Sequence, residues 1–330
     1  MYPTSDDPTY GIFVATQMQS VMELGAQVEI DFVNGRRGDW EYARAIWRVR
    51  SRARSGRFDL VHAHYGLTGF VAAFQNLPLV VSYCGDDLLG TPDGRGGTTA
   101  KSRFIVRMSR IAASRADGII CKSDELRQAL PRAHDRARAR VIGNGVDTKL
   151  FSPGDRTLAR NRLGVGGDEL IVLFPHSRRQ SAVKRFDLAE AGMACLETSG
   201  GVRARLWIVN GVAPDAMADY YRAADCLLLT SDHEGSPNTV KEALCCDLPV
   251  VTVDVGDVQR WLSLAAGCEV VRRDPIAIAA GLSAVLGKRR RVNGAAARAQ
   301  LDLSAVAEQV LSTYEQALLH RARTRTLAGE

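Results

Sequence analysis

A chain of 330 residues is long enough for two domains of ordinary size. Its 46% apolar and 24% charged content excludes a disordered or fibrous chain, and no apolar run reaches the roughly 18 residues of a membrane-crossing helix. A net charge of +6, carried mainly by arginine, admits nucleic acid, anionic lipid or a phosphorylated substrate as partner without choosing among them.

The amino terminus, Met1 to Pro8, is a polar, turn-rich loop and does not read as a signal peptide. A helix is predicted over 11–24, with Ile12, Phe13, Gln17, Val21 and Leu24 recurring on its turns, then an alternating strand over 27–33. Residues 40–56 read as an arginine-dense helix in which Arg44, Arg48, Arg50, Arg52 and Arg54 surround Ile46, Trp47 and Val49. That face suits a membrane surface or an anionic acceptor, or else a crossover helix with snorkelling arginines.

Strands are expected over 58–64 and 77–83, running into the turns YGLTG and CGDDLLG. Their carboxyl ends should lie side by side at one sheet edge, where open α/β sheets place ligands. His62 reads as a strand residue satisfied inside its domain. The glycine-rich 91–101 is either a cover over bound substrate or a plain surface loop. A helix over 103–115, a strand over 117–121 and a helix start at Ser123 follow, and Gly143-Asn144-Gly145 has the composition of a hinge.

Strands recur at 170–174, 203–210, 224–230, 249–253 and 268–271, with helices between them and two more at 275–286 and 304–319. Seven cysteines, none in a C-x-x-C pair, fall mostly inside apolar segments. They read as small buried hydrophobes in a reducing cytoplasm and predict no zinc site.

The stretch SDHEGSPNTVKEAL, residues 231–244, joins two of these strands. Gly235 opens the turn and Pro237 suits a first helical turn. Backbone N–H groups of Ser236 to Val240 would then point beyond the strand's carboxyl end and form an anion site. Glu234 at the strand tip and Glu242 eight positions later flank it, which suits a ligand with both phosphates and sugar hydroxyls. An ordinary strand-to-helix turn with two solvated acids is the alternative.

The E-x7-E spacing in EGSPNTVKEAL resembles the donor site of the family 4 retaining glycosyltransferases, and VHAHYGLTG, VVSYCGDDLLG and IGNGVD followed by FSP resemble other segments of that family in the same order. The resemblance implies an α/β chain of the GT-B fold, two Rossmann-like doubly wound domains facing across a cleft. Residues 1–148 would bind the acceptor, 149–304 the nucleotide-sugar, and 305–330 would cross back to the first domain.

It further implies transfer of a hexose-type sugar, with retention, from a nucleotide-diphosphate sugar to a glycan or lipid-linked acceptor in polysaccharide or glycoconjugate biosynthesis. Glu234, Lys184 and Arg178 would be catalytic. Arg179, Glu242, Gly235, Ser236, Asn238, Thr239 and Val240 would bind the donor, with Arg178 and Arg179 competing for the diphosphate. His64, Cys84, Gly85 and Asp86 would stand on the acceptor side. No cofactor is expected, and no metal, since no D-x-D triplet occurs. The implied setting is cytoplasmic, with a peripheral contact at the inner face of the membrane left open and nucleic acid not expected.

Two departures stand out. Cys84 occupies a position where many relatives carry a histidine, and a thiol takes no positive charge. The first apolar strand that precedes YPTSDDPTYGIFVATQ in the family has no counterpart here, as a truncation or misassigned start codon would leave it, and two strand edges should be exposed in consequence. Both departures keep a non-catalytic glycosyltransferase-like subunit in play. A nucleotide-sugar epimerase of the same architecture lacks its acid/base set, and the E-x7-E turn argues for transfer.

Overall fold

The computed structural model describes residues 2–3, 10–91, 97–175, 181–200 and 202–328. In chain order the elements are α1 (Ile12–Glu23), α2 (Trp40–Ala53), β1 (Val61–His64), α3 (Gly66–Ala72), β2 (Leu79–Tyr83), α4 (Asp86–Leu89), α5 (Ala100–Arg115), β3 (Gly118–Cys121), α6 (Asp124–Gln128), α7 (Ala133–Arg138) and β4 (Ala139–Val141). They continue as α8 (Arg156–Leu163), β5 (Ile171–Pro175), α9 (Ser181–Lys184), α10 (Phe186–Thr198), β6 (Arg205–Val209), α11 (Pro214–Ala223), β7 (Cys226–Leu229), α12 (Asn238–Cys245), β8 (Val250–Val253), α13 (Val258–Leu262), β9 (Glu269–Val271), α14 (Pro275–Lys288), α15 (Ala295–Leu301) and α16 (Leu303–Ala328). They form two units, Met1–Gly145 with Ser304–Glu330, and Val146–Leu303.

The first unit holds a parallel sheet in the order β1-β2-β3-β4. Period-2 alternation sends Val80 and Ile120 to one face, against Val14, Met18 and Val21 of α1 and Val306 and Val310 of α16. Val81 and Ile119 go to the other, with Ala72 of α3 and Ala113 of α5. The strand expected over 27–33 is absent. Val28 packs on the α1–α16 cluster and Val33 on Ala45 and Val71, while Glu29 and Asp31 turn outward to Arg48, Arg52 and Arg57. A segment with one packed side produces the alternating pattern without any ladder partner. β1 pairs with β2 on one edge and, among the described residues, with no strand on the other.

The second unit holds a five-stranded parallel sheet, β6-β5-β7-β8-β9. Both faces are covered, by a cluster including Leu173, Leu227, Val250, Leu244 and Trp261 and by one including Val172, Leu228, Val251, Leu188 and Ile278. Burial on both faces is why its strands read as near-continuous apolar runs. Strand order reverses between β5 and β7. Connections from these two neighbours leave in opposite directions, so their carboxyl ends open a crevice suited to a ligand.

Candidate active site

Side-chain and backbone bonds stitch the end of β7 to the segment that follows β5. Thr230 Oγ1 donates to the carbonyls of Lys184 (2.8 Å) and Arg185 (3.0 Å), and Asp232 N donates to Val183 O (2.8 Å). This brings Lys184 Nζ to 2.5 Å from Glu234 Oε1, an oxygen that also accepts from Ser231 Oγ at 3.0 Å. Only 11% of the Lys184 side chain and 20% of that of Glu234 are exposed, so the pair is largely shielded from water at the strand reversal. Arg178 and Arg179 lie outside the described residues. Neighbouring Arg185, at φ 50°, instead pairs with Asp187 and Asp232.

The turn after Glu234 is held from below. Gly256, at φ 58°, packs against it so closely that a Cβ would stand 2.8 Å from the carbonyl oxygens of both Glu234 and Gly235. Ser236 Oγ donates to Asp257 Oδ2 (2.7 Å) and accepts from Lys241 Nζ. Trp261 Nε1 donates to the same carboxylate oxygen at 2.8 Å. Lys241 is fully buried, its Nζ 3.9 Å from Asp257, and burial lowers its pKa against the pull of that carboxylate.

α12 starts at Asn238, with Pro237 as an extended N-cap and no side-chain cap. The first-turn amides of Thr239 and Val240 have no partner among the described residues, and neither does the buried Thr239 Oγ1. The Val240 side chain belongs to the core. Further along, Glu242 Oε2 accepts from Tyr221 OH at 2.7 Å, and burial raises the pKa of Glu242. Tyr221 is itself fully buried and packs edge-on against Phe151, so the carboxylate is aimed by a rigid ring.

At the carboxyl edge of the first unit, register pairs His64 with Ser82 and Tyr83 with Cys121, and Lys122 N donates to Tyr83 O at 3.2 Å. His62, His64, Cys84 and Lys122 therefore gather on one face. His62 bonds Tyr314 OH through Nδ1 (2.7 Å) and Ser82 Oγ through Nε2 (2.8 Å), and burial pushes its pKa down to about 3. His64 stacks on it at 4.1 Å between ring centres, and neither of its nitrogens has a partner among the described residues. Burial, with His62 and Lys122 nearby, holds His64 well below its usual range. Burial also pushes the Cys84 thiol up to about 12. Nearly buried Lys122 donates to Gln17 Oε1 at 3.4 Å.

The two acids of CGDDLLG have different fates. Asp86 is exposed and accepts from Thr91 Oγ1 at 3.4 Å. Asp87 is buried and takes N–H bonds from Gly66 (2.9 Å), Cys84 (3.0 Å) and Gly85 (2.8 Å), which ties the turn after β1 to the turn after β2. Burial raises it to about 6. Asp87, Lys122, Tyr221, Lys241 and Asp257 were not picked out from the sequence. The signals available were a lysine closing an all-apolar strand in GIICK, and the second aspartate of each of GDD and DVGD.

Among the described residues, no helix is long and apolar enough to cross a membrane. Residues 10–150 match the family described as Glycosyltransferase Family 4, and residues 104–288 the family described as Glycosyl transferases group 1. The chain is 28% identical over 304 residues to a D-inositol 3-phosphate glycosyltransferase of Geodermatophilus obscurus, covering 78% of this chain and 66% of that one. To the same-named protein of Acidothermus cellulolyticus it is 27% identical over 335 residues, covering 87% and 74%.

Among solved structures, sucrose-phosphate synthase from Thermosynechococcus elongatus superposes with a TM-score of 0.74 at 19% identity, covering 92% of both chains. Anabaena HepE in complex with UDP and glucose gives 0.64 at 17% identity, covering 87% of this chain and 84% of that one. These likenesses show the fold, two parallel α/β units of the GT-B type. With one family match spanning over half its length, the chain belongs to the group 1 glycosyl transferases, within the family 4 class that its E-x7-E turn resembles.

Proposed function

We propose that the protein moves a hexose-type sugar from a nucleotide-diphosphate sugar to a glycan or lipid-linked acceptor, with retention of configuration. The observation that carries this reading is the Lys184–Glu234 pair at the strand reversal, beside the uncapped start of α12. An arriving diphosphate would compete with Glu234 for the Lys184 ammonium and accept from the amides of Thr239 and Val240, which suits an anion at a helix start.

Glu234, released from Lys184, would face the transferred sugar, where it contacts hydroxyls or stabilises developing positive charge at the anomeric carbon. Glu242, with Oε2 taken by Tyr221, keeps Oε1 for the ribose hydroxyls. In this reading the charge on the leaving diphosphate is met by protein groups rather than by a metal. HepE, crystallised with UDP and glucose, has the same fold and supports a uridine nucleotide as the first donor to test. The two named relatives make an inositol phosphate the second acceptor class to assay.

Calorimetric titration with UDP and GDP tests the donor site. Micromolar binding of one of them is expected, weakened at least about tenfold in Lys184→Ala, the size of one charge-assisted contact. Unchanged affinity in that variant overturns the diphosphate assignment. A second reading, a non-catalytic subunit, is favoured by the neutral thiol of Cys84 and the neutral histidines on the acceptor side. It predicts nucleotide binding without turnover of any donor sugar.

A further inference from the structure

α2 is two-faced. Ala45 and Ala53 are buried, and Tyr42, Ile46 and Val49 turn toward Val33 and Val71 of the first unit's core. At about 100° per residue the opposite face is a stripe roughly 120° wide that contains Trp40, Arg44, Trp47, Arg50 and Arg54. All five are exposed, Trp47 by 78% and Trp40 by 49%. Trp40 donates its indole N–H to Arg37 O at 3.2 Å, whereas the ring of Trp47 projects into solvent, and the two stand about two turns apart on one face with three cations between and beside them.

The charge on this helix is sorted. Arg48 and Arg52, on the flank, are neutralised by Asp31 and Glu29. Arg44, Arg50 and Arg54 pair with no acid among the described residues; Arg44 lies over the Trp40 ring at 5.1 Å. Within the helix the acid is Glu41, with Asp39 just before it, both at the amino end; Asp59, five positions beyond Arg54, is exposed and forms no ion pair with these arginines among the described residues. Beyond Arg50 the patch continues onto Phe74, 36% exposed, whose carbonyl accepts from Arg50 at 3.5 Å and whose ring lies under Arg115 at 5.8 Å.

Aromatic rings that prefer the water–hydrocarbon boundary, set among arginines with no acidic partner among the described residues, match the two layers of an anionic membrane surface: phosphates outside and acyl chains just beneath. Duplex nucleic acid would satisfy the arginines, but its paired and stacked bases offer no free face to a tryptophan ring. We propose that the outward face of α2 seats the protein on an anionic lipid bilayer, Trp40 and Trp47 entering the headgroup boundary and Arg44, Arg50 and Arg54 meeting lipid phosphates. Bound in this way, the protein would work beside membrane-held molecules.

Co-sedimentation of the whole chain with vesicles tests this. Retention is expected on phosphatidylcholine mixed with phosphatidylglycerol, and little on phosphatidylcholine alone. The partition coefficient should fall about fivefold for each of Arg44→Gln, Arg50→Gln and Arg54→Gln, and on the order of a hundredfold for the three together. Trp47→Ser should lower it about tenfold, with unchanged circular dichroism, since the side chain is solvent-facing.

Retention that ignores the three arginine substitutions, equal retention on uncharged lipid, or no retention at low salt overturns the proposal. Salt-sensitive retention on duplex DNA with none on vesicles would assign the patch to nucleic acid instead. A dimer that dissociates on Trp47→Ser would assign it to a second copy of the chain.

Discussion

At the carboxyl edge of the second unit's sheet two lysines are held against carboxylates, whereas at the same edge of the first unit burial keeps two histidines and a thiol neutral. Lys184 meets Glu234 and Lys241 meets Asp257 on one side; His62, His64 and Cys84 are forced to their uncharged forms on the other. The difference follows from what lies beneath. The reversal between β5 and β7 leaves a charged pair partly exposed at the strand ends. Among the described residues the order β1-β2-β3-β4 contains no such reversal, and α1 and α16 cover the face that bears the histidines. A paired site can exchange a carboxylate for a diphosphate. A neutral one can offer hydrogen bonds and shape, as an uncharged sugar hydroxyl requires.

Glu234→Gln should break the contrast most severely. The amide keeps the size and one acceptor but loses the charge that balances Lys184, and kcat for sugar transfer should fall on the order of a hundred- to a thousandfold. Nucleotide affinity should hold or rise slightly, because Lys184 no longer has a carboxylate to leave. Nucleotide release in the presence of acceptor reads the first effect and calorimetry the second; wild-type turnover would refute the role of Glu234.

Lys241→Met tests whether the second pair carries the turn. Removing one partner of a buried pair costs about 3 kcal/mol or more, since the carboxylate of Asp257 stays buried without its cation. Urea unfolding should show that loss, and adding Asp257→Asn should restore part of it. A loss below about 1 kcal/mol would mean that Ser236 and Trp261 satisfy Asp257 unaided.

Much of this edge was readable from residue order. The buried strands of the second unit announce themselves as apolar runs, and the turn chemistry of Gly235 and Pro237 places the start of α12 within a residue of where it lies. Lys184 and Glu234 lie 50 positions apart, and only the reversal of strand order brings them together. The buried pair of Lys241 was not visible, because a lysine before Glu242 on an amphipathic helix normally reads as solvated. Residues 27–33 were misread for a related reason: alternation reports one covered side, and a packed irregular segment has that as well as a strand does.

The smallest effect separates two groups of the first unit that oppose each other in pH. An unfolded histidine titrates near 6.5 and folded His62 near 3, so in that interval the unfolded state binds a proton that the folded state refuses. Its contribution to stability is whole above about pH 6.5 and is lost as pH falls, by up to about 1.4 kcal/mol per pH unit. Asp87 behaves in the opposite way. Its folded pKa of about 6 lies above the ordinary 3.8, so the folded state holds the extra proton and stability falls as pH rises through this range. Between about pH 4 and 6 the two slopes offset each other in the wild type. Asp87→Asn should expose the His62 slope, stability rising with pH about 1 kcal/mol per unit more steeply than in the wild type, and His62→Gln should tilt it the other way by a similar amount. Each substitution also costs hydrogen bonds, but that offset does not change with pH, so urea unfolding across pH 4 to 6 isolates the titration. Three parallel profiles would show that these groups titrate as they do in water and that burial does not keep the first unit's edge neutral.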